Sequence, residues 1–533
     1  MLRFVLLTLL LGFSVLPVDA QYGPRAQAYD LGTATIIDPA LGDLTIPVTL
    51  QGALALPQDA TPAPLVLVLH GRHAMCGVNI AIYPCEPGAE IRYDLGFAYL
   101  LESLADHGYA ALAINLNAAM TEAYGRGDIN TRAEQLVALH LEALRRAASG
   151  ASDFPIALEG RIDFARSAAI GHSSGGGAAL QIARALAGTG EDRDIDALLL
   201  VAAAYNGLGP EGLPRSADEL FSAYAVPSDV PMATILPDCD GDQISFWTQI
   251  AYEAARRDPT RTRFAASIRV LRANHNHFNT AVERGDRRFG YPPCFAETTD
   301  IMPRAEQEQF LIEYARAFLD AALGDPTGTI FDPASDPPAV LYGTHVQTNL
   351  IPGAAERLSL IALPGVTMTP SNSMGIMTCT VGESCLGGIT VAGRFGFLRL
   401  TWSGRSGLTL NLPAEYADIS GYDSLHLRVV PDYTSALNVP GVPLALTLTL
   451  LDADGSETEV ALNDEAVFTV PPPAEFYGYS PFMLYPASLR IPLTQFEGID
   501  LSRVVAITLR STETPGALLL ADLDLFDHVS PGT

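Results

Sequence analysis

The sequence predicts an α/β unit built on a mostly parallel sheet, followed by an all-β sandwich. Three observations predict it. From about Ala28 to Leu323, short continuous apolar runs alternate with longer helical patterns, as expected of strands buried on both faces beneath helical layers. Residues 324–338, "GDPTGTIFDPASDPP", are rich in Gly, Pro and Asp and read as a linker. From residue 339 onward, alternating apolar runs recur between turn residues at the spacing of a sandwich. At 533 residues the chain exceeds one ordinary domain, and 48% hydrophobic residues suffice for two cores. The expected division is a signal peptide at 1–20, the α/β unit at 21–323, the linker, and the sandwich at 339–533.

The N-terminal stretch "MLRFVLLTLLLGFSVLPVDAQ" carries Arg3, an apolar run and the small-residue exit Val18-Asp19-Ala20. This pattern predicts a secretory signal cut after Ala20, hence a secreted, extracellular or periplasmic protein. The run is short for a membrane span and has no basic stop beyond it, and no later apolar stretch is long enough to cross a bilayer. No cysteine follows the cut, which speaks against a lipoprotein. Export makes the six cysteines disulfide candidates rather than metal ligands. Cys76/Cys85 and Cys379/Cys385 are local pairs, and Cys239/Cys294 follows by elimination. None has the CxxC spacing of a zinc site. The formal charge is −28, and all 32 basic residues are arginine. Such a surface repels nucleic acid and anionic membranes, so neither is an expected partner.

Within the first unit, "PLVLVLH" (Pro64–His70) reads as a fully buried strand, followed by a helix through "FAYLLESLADHG" that stops at Gly108. "YAALAINLN" is the next strand, and Thr131 with Glu134 predicts a capping box for a helix running to about Ala148. "SAAI" enters the stretch "GHSSGGG", and "GGGAALQIARALAG" leaves it as a helix. "ALLLVAAA", "PMATIL" and "SIRVLRA" supply three further strands, and Pro303 opens a helix with Phe310, Leu311, Tyr314 and Phe318 on one face. In the second unit the strand candidates are "FGFLRLTW", "LTLNLP", "SLHLRVV", "LALTLTLLD", "TEVALN", "SLRIPL" and "VVAITLRS". Asp452-Ala453-Asp454-Gly455 reads as a hairpin turn between two of them.

Gly171-His172-Ser173-Ser174-Gly175 fits G-x-S-x-G, with an apolar strand before it and a small-residue helix after it. In such a turn the central residue is strained, and side chains two positions either side would collide. The slot therefore selects Ser173 as nucleophile and leaves Ser174 one step beyond. A phosphate-binding loop of the G-x-x-x-x-G-K-[ST] type is excluded, because the chain has no lysine. A serine hydroxyl needs a base, and the base an orienting acid. Of ten histidines, His275 and His277 lie between the late strands and the closing helix, and His275 is nearer the strand end. The loop "PDCDGDQI" offers Asp238, Asp240 and Asp242; Asp240 is favoured, with Asp242 close behind. As a calcium loop this segment fails, since Gly241 stands fourth rather than sixth and no glutamate stands twelfth. Backbone N–H groups of Ser174 and Arg72 are the expected oxyanion donors, with a Cys76–Cys85 bridge stiffening the second loop. His70 and His73 receive no chemical role.

"LHGRH…C", "HLEALRR", "GHSSGGG", "LPDCDGD" and "NHNHFNT" resemble a group of secreted bacterial α/β hydrolases with a dienelactone-hydrolase or cutinase-like core. The resemblance spans about Leu44 to Leu323. It implies the α/β-hydrolase fold, a Ser/Asp/His hydrolase and no metal or other cofactor. That group usually reads GHSRGG, with arginine where Ser174 stands here, a change that keeps the backbone donor and bears on substrate preference. The tail "LRIPLTQFEGIDLSRVVAITLRSTETPGALLLADLDL" is similar to jelly-roll, galactose-binding-like modules. That similarity implies carbohydrate as a partner of the second unit, against a purely structural sandwich; Trp402 is a candidate for stacking on sugar or for the core.

The expected activity is hydrolysis of carboxylic esters through an acyl-enzyme, with an amidase or peptidase using the same residues as one alternative. A glycan-binding protein with a vestigial hydrolase unit is another. Residues 205–230 are too few for a large lid, which favours bulky or polymeric esters.

Overall fold

The computed structural model describes residues 25–59, 61–125, 127–152, 154–187, 195–204, 217–243, 247–287, 292–295, 301–371, 374–380, 396–471 and 485–527. The expected signal peptide lies outside these residues. The apolar run at 63–69 shows why a parallel sheet forms. Leu65, Leu67 and Leu69 enter one core while Val66 and Val68 enter another, so every second side chain needs cover on the opposite face.

The first unit holds strands β1 (Gln27–Asp38), β2 (Leu44–Ala55), β3 (Ala63–Leu69), β4 (Ala110–Ile114), β5 (Ile162–His172), β6 (Ala197–Val201), β7 (Met232–Pro237), β8 (Ala265–Val270), β9 (Val340–Leu341) and β10 (Thr344–Ile351). They form one sheet in the order β1-β2-β4-β3-β5-β6-β7-β8-β10-β9. Pairing is parallel from β4 to β8 and antiparallel at both ends. Its helices are α1 (Ala98–Asp106), α2 (Asn117–Met120), α3 (Ile129–Ala148), α4 (Ser174–Leu186), α5 (Ala217–Ala223), α6 (Trp247–Arg257) and α7 (Arg304–Leu323). Helices α1 and α7 share the core of Val66 and Val68; α3, α4 and α6 share that of Leu65 and Leu67. Neighbouring strands β3 and β5 therefore send their following helices to opposite faces. Such a reversal is a topological switch point, and in open α/β sheets ligands bind outside the C-terminal ends of the strands at such a point.

Two expectations need correction. Helix α3 starts at Ile129, and its cap is Asp128, whose carboxylate accepts from the Thr131 N–H and hydroxyl. Aspartate caps as well as threonine, and the earlier cap adds most of a turn. The boundary near 338/339 also does not match the sheet. Residues 344–351 pair with Ala265–Val270 as the tenth strand of the first unit, burying Val346 and Leu350 against it.

The second unit has β11 (Arg357–Ser359), β12 (Thr367–Ser371), β13 (Gly375–Thr380), β14 (Gly396–Trp402), β15 (Gly407–Asn411), β16 (Ser424–Pro431), β17 (Leu446–Asp452) and β18 (Glu457–Leu462). It is completed by α8 (Glu465–Phe468), β19 (Ala487–Pro492), β20 (Val504–Ser511) and β21 (Gly516–Phe526). Two antiparallel sheets result, β13-β14-β21-β16-β19, with β11 also on β21, and β12-β15-β20-β17-β18. Their inner faces alternate as read: Leu425, Leu427 and Val429 oppose Leu446, Leu448 and Leu450. The hairpin turn at 452–455 stands as expected, with Asp452 accepting from the N–H of Asp454 and Ser456.

Strand β16 is buried at every position, which its polar alternate residues did not foretell. Its outer face lies against α6. Arg428 makes a two-pronged pair with Glu253 at 2.6 and 3.1 Å and reaches Asp522 at 2.7 Å; Arg256 closes the ring on Asp522 at 2.7 Å and Glu253 at 2.9 Å. Two positive and two negative groups balance with almost no solvent. Arg428→Ala would leave the two buried carboxylates of Glu253 and Asp522 sharing Arg256 alone, so a loss of about 3 kcal/mol is expected in urea unfolding. Removing Glu253's charge as well, in Arg428→Met/Glu253→Gln, should return part of it.

Candidate active site

Strand β5 ends at His172, and Ser173 turns the chain into α4 with φ 54° and ψ −128°. A non-glycine residue in this region is strained and needs its surroundings to hold it. The Ser173 N–H donates to the Val201 carbonyl at 3.0 Å, and its own carbonyl accepts from Gly176 and Ala204 at 2.8 and 2.9 Å. The glycines admit the turn. A Cβ on Gly171 would sit 2.4 Å from the Gly175 carbonyl oxygen, as the spacing rule anticipates. Gly175 is needed for a different reason: its Cβ would meet the carbonyl oxygens of Leu69 and His70 at 2.3 and 2.5 Å, at the end of β3.

That close approach brings the turn after β3 against Ser173. A Cβ on Gly71 would lie 2.6 Å from Ser173 Cβ and 3.1 Å from its Oγ, and Arg72 is the next residue. The Arg72 guanidinium pairs with Glu122 at 2.8 Å, steadying this turn. Leu116 N–H donates to His70 Nε2, so His70 carries its proton on Nδ1 and donates to the Gly71 carbonyl at 2.7 Å. Ser174 begins α4, where first-turn N–H groups have no helical acceptor and the helix dipole favours negative charge.

Strands β7 and β8 end on the same edge. His275 Nδ1 donates to Asp240 Oδ2 at 2.9 Å, both groups being 1% exposed. Asp240 Oδ1 accepts from the N–H of Asp242 and Gln243 at 2.9 and 2.5 Å, so the loop backbone aims it. Asp242 Oδ2 lies 3.4 Å from the other ring nitrogen, and its side chain is 62% exposed. His277 turns away: its Nδ1 is 3.1 Å from the Met302 carbonyl. Of the alternatives, the structure thus joins Asp240 with His275.

Four contributors lay outside the sequence reading. His172 Nε2 donates to the His275 carbonyl at 2.9 Å, tying the histidine loop to the serine turn. Its only signal was its place beside Ser173 at a buried strand end. Asp286 accepts from the N–H of Gly241 and Asn276 at 2.5 and 2.9 Å, bridging the acid and histidine loops. Nothing in "VERGDRRF" announces it. Asn274 accepts from the N–H of Asn276 and His277, while Gln307 of α7 holds its backbone on both sides.

The charges sort the histidines. Burial alone would lower His275, but Asp240, by charge and hydrogen bond, then Asp242 and Asp286, raise it to about 9. Burial pushes His172 well below its ordinary value and His73 down to about 3, with the other histidines adding repulsion. Among these rings His275 alone is raised.

Cys76–Cys85 and Cys239–Cys294 are bridged. Cys379 is disulfide-bonded too, and Cys385 lies outside the described residues. Asp238, Cys239 and Cys294 cluster closely, yet the sulfurs are bonded to each other and Asp238 pairs with Arg269 at 2.5 Å. Trp402 belongs to the core: it is 2% exposed and its Nε1 donates to the Thr514 carbonyl at 2.8 Å. The lid expectation at 205–230 falls partly outside the described residues, which resume at α5. No helix among the described residues is long and apolar enough to cross a membrane.

The fold is therefore an α/β-hydrolase fold followed by an antiparallel β-sandwich. No family model matches the chain, and no curated protein matches it. Among solved structures it is similar to a putative dienelactone hydrolase from Klebsiella pneumoniae, with 16% identity, a TM-score of 0.30, and 54% of this chain and 97% of that one covered. EstE1, a carboxylesterase from a metagenomic library, gives 13% identity and a TM-score of 0.33, covering 56% of this chain and 91% of that one. The chain is also similar to a family 11 carbohydrate-binding module of a cellulosomal cellulase of Clostridium thermocellum, with 11% identity, a TM-score of 0.20, and 32% of this chain and 92% of that one covered. Strand order and the serine turn, rather than these scores, define the fold.

Two outcomes are expected. Gly175→Ala drives a Cβ into two backbone carbonyls that cannot swing away, so it should lose about 2–3 kcal/mol or fail to fold, as read by urea unfolding. The His275 imidazole should titrate near pH 9 by NMR. Because its folded value is raised, its contribution to stability is whole below about pH 6.5 and is lost as pH rises through 9.

Proposed function

We propose that this chain is a secreted serine hydrolase of carboxylic esters. The observation that carries the reading is the convergence at one sheet edge of strained Ser173 with the buried Asp240–His275 pair. Ser173 Oγ attacks the ester carbonyl as His275 Nε2 takes its proton, and Asp240 holds the imidazolium. The oxyanion is met by the N–H groups of Ser174 and Arg72. His275 then gives the proton to the departing alkoxide, and water repeats the sequence on the acyl-enzyme. Secretion is supported by the N-terminal pattern together with the bridged cysteines. Bulky or polymeric esters are the favoured substrates, and carbohydrate is the ligand class to test on the sandwich.

A fluorophosphonate probe should label the folded wild type and leave Ser173→Ala unlabelled. His275→Ala should cut ester turnover about 10³–10⁴-fold, while Ser174→Ala, which keeps its N–H, should stay within a few-fold. Absent labelling of folded wild type sinks the hydrolase; labelling that survives Ser173→Ala sinks the choice of serine. Faster turnover of short soluble esters than of polymeric ones removes the substrate class.

A further inference from the structure

The acid loop sends two carboxylates to opposite sides of one ring. Asp240 meets Nδ1, and Asp242 Oδ2 stands 3.4 Å from Nε2, the nitrogen that must trade a proton with the serine and then with the leaving group. The placement is set by backbone, because the Asp242 N–H donates to Asp240 Oδ1 at 2.9 Å. The environments differ sharply. Asp240 is 1% exposed, whereas the Asp242 side chain is 62% exposed and faces solvent. Nε2 itself is enclosed and has no hydrogen-bond partner among the described residues.

Resting on the serine-hydrolase reading, we propose that Asp242 is a positioning residue that stabilises the His275 imidazolium from the leaving-group side and disfavours anionic leaving groups. When Nε2 accepts the serine proton, the ring becomes a cation with carboxylates at both nitrogens. When it returns that proton to the departing oxygen, the C–O bond breaks and the leaving group passes close to Asp242. A neutral alcohol crosses this position without penalty. One that carries a carboxylate meets like charge at the same place, in a chain whose net charge is already −28.

Other charged and titratable groups face the ring and stay unchanged when Asp242 is altered. Asp240 holds Nδ1, and Asp286 lies behind, bound to the N–H groups of Gly241 and Asn276. His172, tilted against the ring at 4.9 Å between centroids, and His73 are both pushed down by burial. The effect of Asp242 is therefore separable from theirs.

Asp242→Asn is nearly isosteric and lies at an exposed position, so the variant should fold as the wild type does. With a neutral p-nitrophenyl ester, the acid limb of kcat/KM against pH should move down by about one unit, with a plateau within about threefold. With a matched pair of esters whose leaving groups are neutral or carboxylated, the wild-type preference for the neutral one should shrink about fivefold or more in the variant. An unmoved limb together with unchanged discrimination overturns the inference, even where Ser173 labels normally. A loss of 10³-fold or more, equal to that of Asp240→Asn, overturns it in another way by making Asp242 the orienting acid. Failure of the serine-hydrolase reading shows separately, as a folded wild type that neither labels nor turns over.

Discussion

The structure turns on the crowding around Ser173. A serine at φ 54° is tolerated only because backbone from β3, β5 and α4 presses in where side chains would otherwise stand. Gly171, Gly175 and Gly71 each mark a contact at which a single methyl would overlap a neighbour by more than packing can absorb. These contacts join successive parts of the sheet edge. The serine turn cannot relax without lifting the ends of β3 and β5, and those are central strands buried on both faces. The strain is thus held by the largest core in the molecule.

Charge is arranged against the same background. The surface is strongly acidic, yet the histidines nearest the serine are kept neutral by burial, and only the one beside Asp240 is pushed upward. Desolvation and neighbouring carboxylates act in opposite directions on one residue type, and their balance separates His275 from His172 within 5 Å. A ring raised this far favours the imidazolium, so in the proposed reaction His275 would serve as base best on the alkaline side of neutrality.

Much of this was legible because it depends on local pattern. Double-faced strands read as unbroken apolar runs, and the sandwich strands as alternations. G-x-S-x-G located the turn because sterics at one point fix the spacing. The order of acid and histidine after the serine then narrowed the partners to two loops. What escaped was set by distant contacts. Val340–Ile351 looks like any sandwich strand, and only pairing with β8 assigns it to the first sheet. The alternation of β16 predicts a solvated face, but α6 covers it with complementary charge. Asp286 gains its place from two backbone N–H groups on other loops, a relation no spacing rule encodes.

The sandwich is consequently more than an appended module in mechanical terms. Leu236, Cys239 and Cys294, which flank the acid loop, belong to the same apolar cluster as Leu398, Leu489 and Leu520 of the sandwich. A polar chain runs in parallel: Asp238 pairs with Arg269, Arg269 donates to Gln347 at 3.0 Å, and Gln347 donates to the Ala466 carbonyl in the second unit. Asp240 lies two residues beyond Asp238 and is aimed by the N–H groups of its own loop, so whatever shifts that loop shifts the partner of His275. With Arg428 and Glu253 locking α6 to β16 on the other side, the acid loop is braced from two directions by residues remote from the serine. A binding module joined by a free linker would leave no such trace. Here the second unit supports the geometry of the first.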